Sequence, residues 1–198
     1  MGVHGLWIRS STSTDLPTIT SRLVGVGASS SVQDYRVEVE QWTARVGREK
    51  LLHKVSFGAQ EQWVIFANAM LETDIEGFDA IMMGMKHFVK KISLEITGQR
   101  IVFGDFVVCL GKLSYGNQQN PITVIDVEYK PCVSVLKGLE LIRSFKNDFL
   151  SAFDGSSQAP FSEIPLPPYS EFGLGNDFSV SHLALGYSHL LSVLVVRR

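Results

Sequence analysis

From Ile92 to Tyr129 the chain is a succession of strand-forming apolar runs, and the breaks between them are too short to hold a crossover helix. The runs are Ile92 to Thr97, Arg100 to Phe103, Asp105 to Ser114 and Ile122 to Tyr129, with Gly98-Gln99 and the polar stretch Gly116 to Pro121 as the main separators. Parallel neighbours need a connection of about a dozen residues or more, so strands this close together pair antiparallel. Every other element has to be fitted around that sheet.

Upstream, Tyr35, Val37 and Val39 alternate with Arg36, Glu38 and Glu40, the two-residue period of a half-buried strand. On that reading Glu38 and Glu40 sit on its solvated outer face. Leu51 to Phe57 and Trp63 to Met70 form two more strands joined by a turn at Gly58 to Gln62, and Val3 to Ile8 is a first, short strand.

Helical spacing appears in four places. Asp15 stands where an N-cap would, Pro17 lies in the first turn, and Leu16, Ile19 and Leu23 follow before Gly25 and Gly27. Glu76 to Lys91 carries Phe78, Ile81, Met82, Met85, Phe88 and Val89 along one face. Val133 to Phe153 presents Leu136, Leu139, Ile142, Phe145, Phe149, Leu150 and Phe153. Phe178 to Arg198 is apolar on nearly every side, so it is expected to pack on the domain or on a partner.

This order predicts an α+β fold, a curved antiparallel β-sheet closing into a barrel-like core with three to four packed helices. Residues 1–153 are expected to form that domain. Residues 154–176, with Pro160, Pro165, Pro167 and Pro168 among Ser and Gly, are expected as a loop, and residues 177–198 as a C-terminal apolar helix.

The composition narrows the function. With 18 basic against 20 acidic residues and a formal charge of −2, a phosphate-binding face of the kind that drives nucleic-acid affinity has to be local. Lys86, Lys90 and Lys91 are the nearest to one, and they read as a solvated helix end. The two cysteines, Cys109 and Cys132, lie in apolar surroundings, which suits inert thiols in a reducing compartment. No signal-peptide pattern, glycosylation sequon or long apolar run is present, so a soluble intracellular protein is expected.

The tests for chemistry come back negative. His4, His53, His87, His182 and His189 have no metal-ligand spacing, and no G-x-S-x-G elbow or phosphate loop occurs. Gly25 to Ser30 faintly matches a dinucleotide loop, but it follows a helix and precedes a strand, the reverse of what that motif needs. Gly104 and Gly111 look like bends beside strands. No catalytic residue, cofactor or metal is therefore expected, although residues distant in sequence can still assemble a site.

The stretch Gly98 to Leu113, followed by Val124 to Cys132, resembles the subunit 20 family of the eukaryotic Mediator complex. The matching positions are Gly98, Arg100, Asp105, Phe106, Gly111, Val127, Glu128, Tyr129, Pro131 and Cys132. Met1-Gly2-Val3 and the long helix after Cys132 agree with it as well. The resemblance implies a barrel-like sheet with helices and a nuclear, non-catalytic subunit of the Mediator head module. It further implies a heterodimer with Mediator subunit 18, a link through subunit 8, and a role in relaying regulatory signals to RNA polymerase II. The net charge and the lack of a long apolar run separately lead to the expectation of no direct nucleic-acid contact and no membrane span.

Two elements are candidates for the partner surface: Leu6, Trp7 and Ile8 in the first strand, and Leu183, Tyr187, Leu190, Leu191 and Leu194 in the last helix. Intramolecular core is the alternative for both. The competing functional reading is a ligand-binding or phosphate-processing β-barrel enzyme. That reading requires charged side chains converging inside the sheet, whereas the strand faces here read mostly as Val, Ile, Phe and Leu.

Overall fold

Nine strands hydrogen-bond in the order β5-β4-β3-β2-β6-β7-β8-β1-β9, and every pairing is antiparallel. They are β1 (Val3–Ser10), β2 (Gln33–Ala44), β3 (Leu51–Phe57), β4 (Glu61–Phe66), β5 (Ala69–Thr73), β6 (Phe88–Phe103), β7 (Phe106–Tyr115), β8 (Ile122–Tyr129) and β9 (Ser162–Glu163). The helices are α1 (Asp15–Gly25), α2 (Ile75–Met85), α3 (Val135–Phe145) and α4 (Val180–Val196). This computed structural model describes residues 1–10, 15–29, 33–45, 51–58, 61–116, 122–150 and 160–196. Residues 117–121 of the polar stretch, residues 151–159 with Phe153, and residues 197–198 lie outside that set.

The α+β class and the antiparallel sheet are as expected. The sheet curves strongly, but its edge strands β5 and β9 do not pair with each other, so it is not a closed barrel. The curvature can be read from one side chain. Tyr187 on α4 meets Phe57 of β3 at 5.7 Å between ring centroids and donates a 2.8 Å hydrogen bond to Asp126 Oδ2 of β8. Those strands stand four places apart in the sheet, on the order of 19 Å if it were flat at ~4.8 Å per strand. One tyrosine reaches both because the sheet wraps around α4.

Strand register sorts the side chains into two faces. Tyr35, Val37, Val39, Val55, Ile96 and Val124 point toward α4 on the inner face. The outer face is covered at one end by α1 and α3, and at the other by α2. Gly138 of α3 lies against the Val3 side chain, and Phe103 packs against Phe145 in a tilted pair, 5.8 Å between ring centroids. A smaller cluster of Leu52, Phe78 and Met82 fixes α2 on β3, joined by Trp42, Val64, Phe66 and Phe88.

Several boundaries differ from the periodicity. The helix expected over Glu76 to Lys91 stops at Met85, because Lys86 takes a left-handed conformation (φ 51°), and Phe88 and Val89 belong to β6. Asp74 caps its start, accepting from the Gly77 amide at 2.5 Å. Lys90 and Lys91 are therefore strand residues rather than a helix end, and Lys90 pairs with Glu40 at 2.7 Å. Trp63 to Met70 is two strands, folded back at Ala67-Asn68 with Ala67 at φ 49°.

Gly98-Gln99 does not separate two strands: β6 runs through it. Gly98 faces Gly111 across the ladder, and a Cβ at Gly98 would land on the Leu110 carbonyl oxygen. A Cβ at Gly111 would collide with Ile96 Cγ2, so both glycines of the pair sit where a side chain has no room. Gly104, by contrast, sits in the two-residue turn between β6 and β7 at φ 58°. On α3 the buried face is Val135, Gly138, Leu139, Ile142 and Phe145, while Leu136 is 67% exposed. The helix then widens into a π turn at Lys146–Leu150.

The Pro-rich stretch also carries structure where it is described. Phe161 and Ile164 are buried, β9 extends the sheet beside Trp7 and Ile8, and Tyr169–Phe172 makes a short 3-10 turn. Arg143 on α3 clasps the Glu163 carboxylate through two nitrogens, at 3.0 and 2.7 Å. Phe178 N–H donates to Val133 O at 2.7 Å, which joins the entry of α4 to that of α3.

Candidate functional site

The structure brings both sequence-selected groups together inside one hydrophobic core. Leu6, Trp7 and Ile8 lie on β1 between β8 and β9 and are 3–7% exposed. Leu183, Tyr187, Leu190 and Leu191 are 0–7% exposed on α4, and Leu194 is half-buried near its end. Leu6 reaches to within 3.5 Å of where a Gly186 Cβ would stand, so strand and helix pack on one another.

Where β1, β6, β7 and β8 cross the inner face, a polar cluster interrupts this core. Asp126, 2% exposed, accepts from Tyr187 at Oδ2 and bonds His4 Nδ1 at Oδ1, both at 2.8 Å. The Tyr187 hydroxyl also bonds that of Tyr35. His4 Nε2 faces Glu128 at 3.9 Å, and Glu128 meets Arg100 at 3.8 Å and accepts from the Gly2 amide at 3.0 Å. Register explains the convergence: Arg100 pairs with Cys109, Cys109 with Asp126, and Glu128 with His4.

Electrostatics follow from this placement. Burial by itself lowers the His4 pKa, but the Asp126 charge and hydrogen bond and the Glu128 charge outweigh burial and Arg100 together, so it is raised. The raised pKa favours a protonated His4, which with Arg100 would balance the two carboxylates. Burial, reinforced by Asp126, pushes the Tyr35 and Tyr187 hydroxyls well above their ordinary range. Burial first and Asp126 second also push the Cys109 thiol up, which leaves it a poor nucleophile. Cys132 donates to Ser134 O at 3.6 Å.

The apolar reading of the strand faces missed this cluster. A usable signal was present: Asp126 stands between Ile125 and Val127 in the run Ile122 to Tyr129, and a buried acid needs partners. The charges that the enzyme reading called for do converge, but they bond to one another and to α4. The cavity beside His4 holds about 20 Å³, room for a single water. Two carboxylates also make the cluster a poor phosphate receptor.

A second ionic cluster overturns the solvated reading of Glu40, which is 4% exposed. Its carboxylate accepts from Lys90 at 2.7 Å and Trp42 Nε1 at 3.0 Å, and Lys54 Nζ stands 3.7 Å away. Lys54 in turn bonds Asp79 of α2 at 2.8 Å, which clamps the helix to the sheet. Glu40 is hidden because α2 covers the face that alternation alone leaves open.

The remaining histidines do local work. His182 stacks on Phe178 (5.2 Å), meets Tyr169 edge-on (4.6 Å) and bonds Gly175 O at 3.0 Å. His53 Nδ1 bonds Ser188 Oγ at 2.5 Å. Among the described residues no group of three or more His, Cys, Asp or Glu is placed to hold a metal ion. No helix among them is long and apolar enough to cross a membrane.

Fold and cluster together define an α+β protein whose curved antiparallel sheet is filled by its own last helix and tied to it by buried polar bonds. In sequence the chain resembles Mediator of RNA polymerase II transcription subunit 20. It is 25% identical to that protein of Anopheles gambiae over 147 residues, covering 68% of this chain and 65% of the relative. The Aedes aegypti protein is 24% identical over 147 residues, with the same coverage. The Homo sapiens protein is 29% identical over 102 residues, 50% of this chain and 48% of the relative. The chain thus spans less than two thirds of the length of these curated relatives. No protein-family model matches it.

Among solved structures, a chain of the Schizosaccharomyces pombe Mediator head module aligns over 76% of this chain and 95% of its own length, with 9% identity and a TM-score of 0.48. A putative adenylate cyclase from Bacillus halodurans aligns over 87% and 99%, with 11% identity and the same TM-score of 0.48. At these scores neither likeness carries weight for function.

Proposed function

We propose that this chain is a non-catalytic subunit of the nuclear Mediator coactivator complex, in its head module. There it pairs with Mediator subunit 18, is linked through subunit 8, and helps relay regulatory signals to RNA polymerase II. The similarity to Mediator subunit 20 proteins over 147 residues carries this reading. The polar cluster supports it, since Asp126 is engaged by Tyr187 of α4 and the cavity beside His4 has room for a single water.

In this role Leu6, Trp7, Ile8, Leu183, Tyr187, Leu190 and Leu191 serve a partner from beneath, by holding the shape of the surface above them. Leu194, half-buried near the end of α4, is the one of the eight that a partner can touch directly. The described parts of residues 1–153 and 177–198 act as one folded unit, with residues 160–176 laid across them.

The test is co-expression with subunit 18 from the same organism, followed by size-exclusion chromatography. A joint peak at the mass of a heterodimer is expected. Separate elution of two folded proteins refutes the pairing.

A further inference from the structure

One open groove belongs neither to the core nor to the polar cluster. It has a volume of about 500 Å³ and opens to solvent between β3, the β4–β5 turn, the 3-10 turn and α4. Clefts that bind ligands span ~300–1,000 Å³, and this groove falls within that range. Its apolar surface comes from Leu51, Phe66, Pro168 and Phe172, and Leu51 is 44% exposed. One lip is the turn holding Ala67 at φ 49°, a left-handed conformation that is unfavourable for a non-glycine residue.

The polar groups on its walls settle what fits. His53 gives Nδ1 to Ser188, which leaves Nε2 for an occupant, and His189 and Asn68 add further hydrogen-bonding groups. Burial lowers the pKa of both imidazoles, that of His53 to about 4, so both are neutral at physiological pH. Glu171, which is exposed, is then the single formal charge among the lining residues. A groove open to solvent, apolar along its walls and acidic at one point matches a chain that enters and leaves, not an enclosed metabolite.

We propose that this groove binds a short apolar segment of another polypeptide that carries a lysine or arginine opposite Glu171. The inference rests on the reading of the chain as a protein-binding subunit, and it gives that reading a surface. Apolar anchors supply the affinity, and the charge opposite Glu171 supplies selection against acidic segments.

The probe is a displayed library of random 12-residue peptides, selected on the whole folded chain and counter-selected on Ser192→Trp, which fills the groove. Enriched peptides are expected to combine apolar residues with Lys or Arg. The best of them should bind Ser192→Trp at least tenfold more weakly. Glu171→Arg, a change at an exposed position, should cost the basic peptide a similar factor even if Ser192→Trp fails to fold. Acidic consensus peptides, equal binding to Glu171→Arg, or no enrichment all overturn the proposal. A wild-type dimer that Ser192→Trp turns into a monomer also overturns it, assigning the groove to a second copy. Co-elution with subunit 18 is scored separately. Its failure in the wild type counts against the Mediator pairing, while the peptide selection alone decides the groove.

Discussion

Replacing Asp126 tests whether the buried polar cluster holds the last helix in the sheet. In Asp126→Ala, His4 Nδ1 and the Tyr187 hydroxyl each lose a 2.8 Å partner, in a site where Asp126 is 2% exposed. Buried His4 and the one-third-exposed Arg100 are left with Glu128 as the remaining carboxylate of the cluster. Breaking a buried charged pair by removing one member costs about 3–5 kcal/mol. Total stability is typically about 5–15 kcal/mol, so a large fraction of it is at stake. At about 2–4 °C per kcal/mol for a chain of this length, the melting temperature falls by roughly 6–20 °C. Asp126→Asn is milder: an amide oxygen still accepts from His4, and the Tyr187 hydroxyl rotates to accept from the amide nitrogen. Its cost is about 1.5–3 kcal/mol, that of a hydrogen bond to a charged group. Urea titrations followed by tryptophan fluorescence measure both, and combining Asp126→Ala with Tyr187→Phe in a double-mutant cycle gives the coupling. A loss below about 1 kcal/mol in Asp126→Ala, or strict additivity with Tyr187→Phe, would refute the account.

Three further outcomes follow from the same geometry. Because the folded His4 pKa is raised, its contribution is fully present below the unfolded value of 6.5 and lost as pH rises through the folded value. Urea midpoints of the wild type should therefore fall relative to His4→Gln as pH increases through that window; parallel pH profiles would contradict this. Gly98→Ala drives a methyl onto the Leu110 carbonyl and should cost about 1–3 kcal/mol or more, whereas Gly104→Ala, in open space at φ 58°, should cost about 1 kcal/mol. Thermal melts compare the two, and the reverse order would rule out the close approach of β6 and β7. Deleting residues 177–198 removes Leu190 and Leu191, both 0% exposed, and each buried leucine is worth about 1.5–3 kcal/mol. The product should bind a hydrophobic dye and lose its cooperative transition; a sharp, dye-free melt would show that the sheet stands without α4.

Much of the fold was legible in the residue pattern. The boundaries of β3 and β8 coincide with the runs Leu51 to Phe57 and Ile122 to Tyr129, because each apolar run is flanked in the sequence by polar or turn-forming residues. A segment apolar on nearly all sides has to be enclosed, and the curved sheet wraps α4 (Val180–Val196). Misreadings cluster where a local period is ambiguous. Phe88 and Val89 extend the helical stripe of α2, yet Lys86 breaks the helix before them and β2 claims them as strand partners. Gly98 looks like a turn in one dimension and is a point of close contact in three. On α3, Leu136 continues a plausible stripe, but the face that turns inward is the one that puts Gly138 against Val3.

Taken alone, the chain determined its class: short separations forced antiparallel pairing, the two-residue period chose the strand faces, and the apolar tail had to be buried. Those are local constraints, set by backbone reach and by the cost of exposing apolar surface. Tertiary structure decided what the tail is buried against and which polar groups meet. His4, Arg100, Asp126, Tyr35 and Tyr187 come from five different elements, and no spacing along the chain encodes their meeting. Register across five strands and the curl of the sheet around α4 bring them within bonding distance. Once they are out of water, each must find a partner, and the helix supplies one of them.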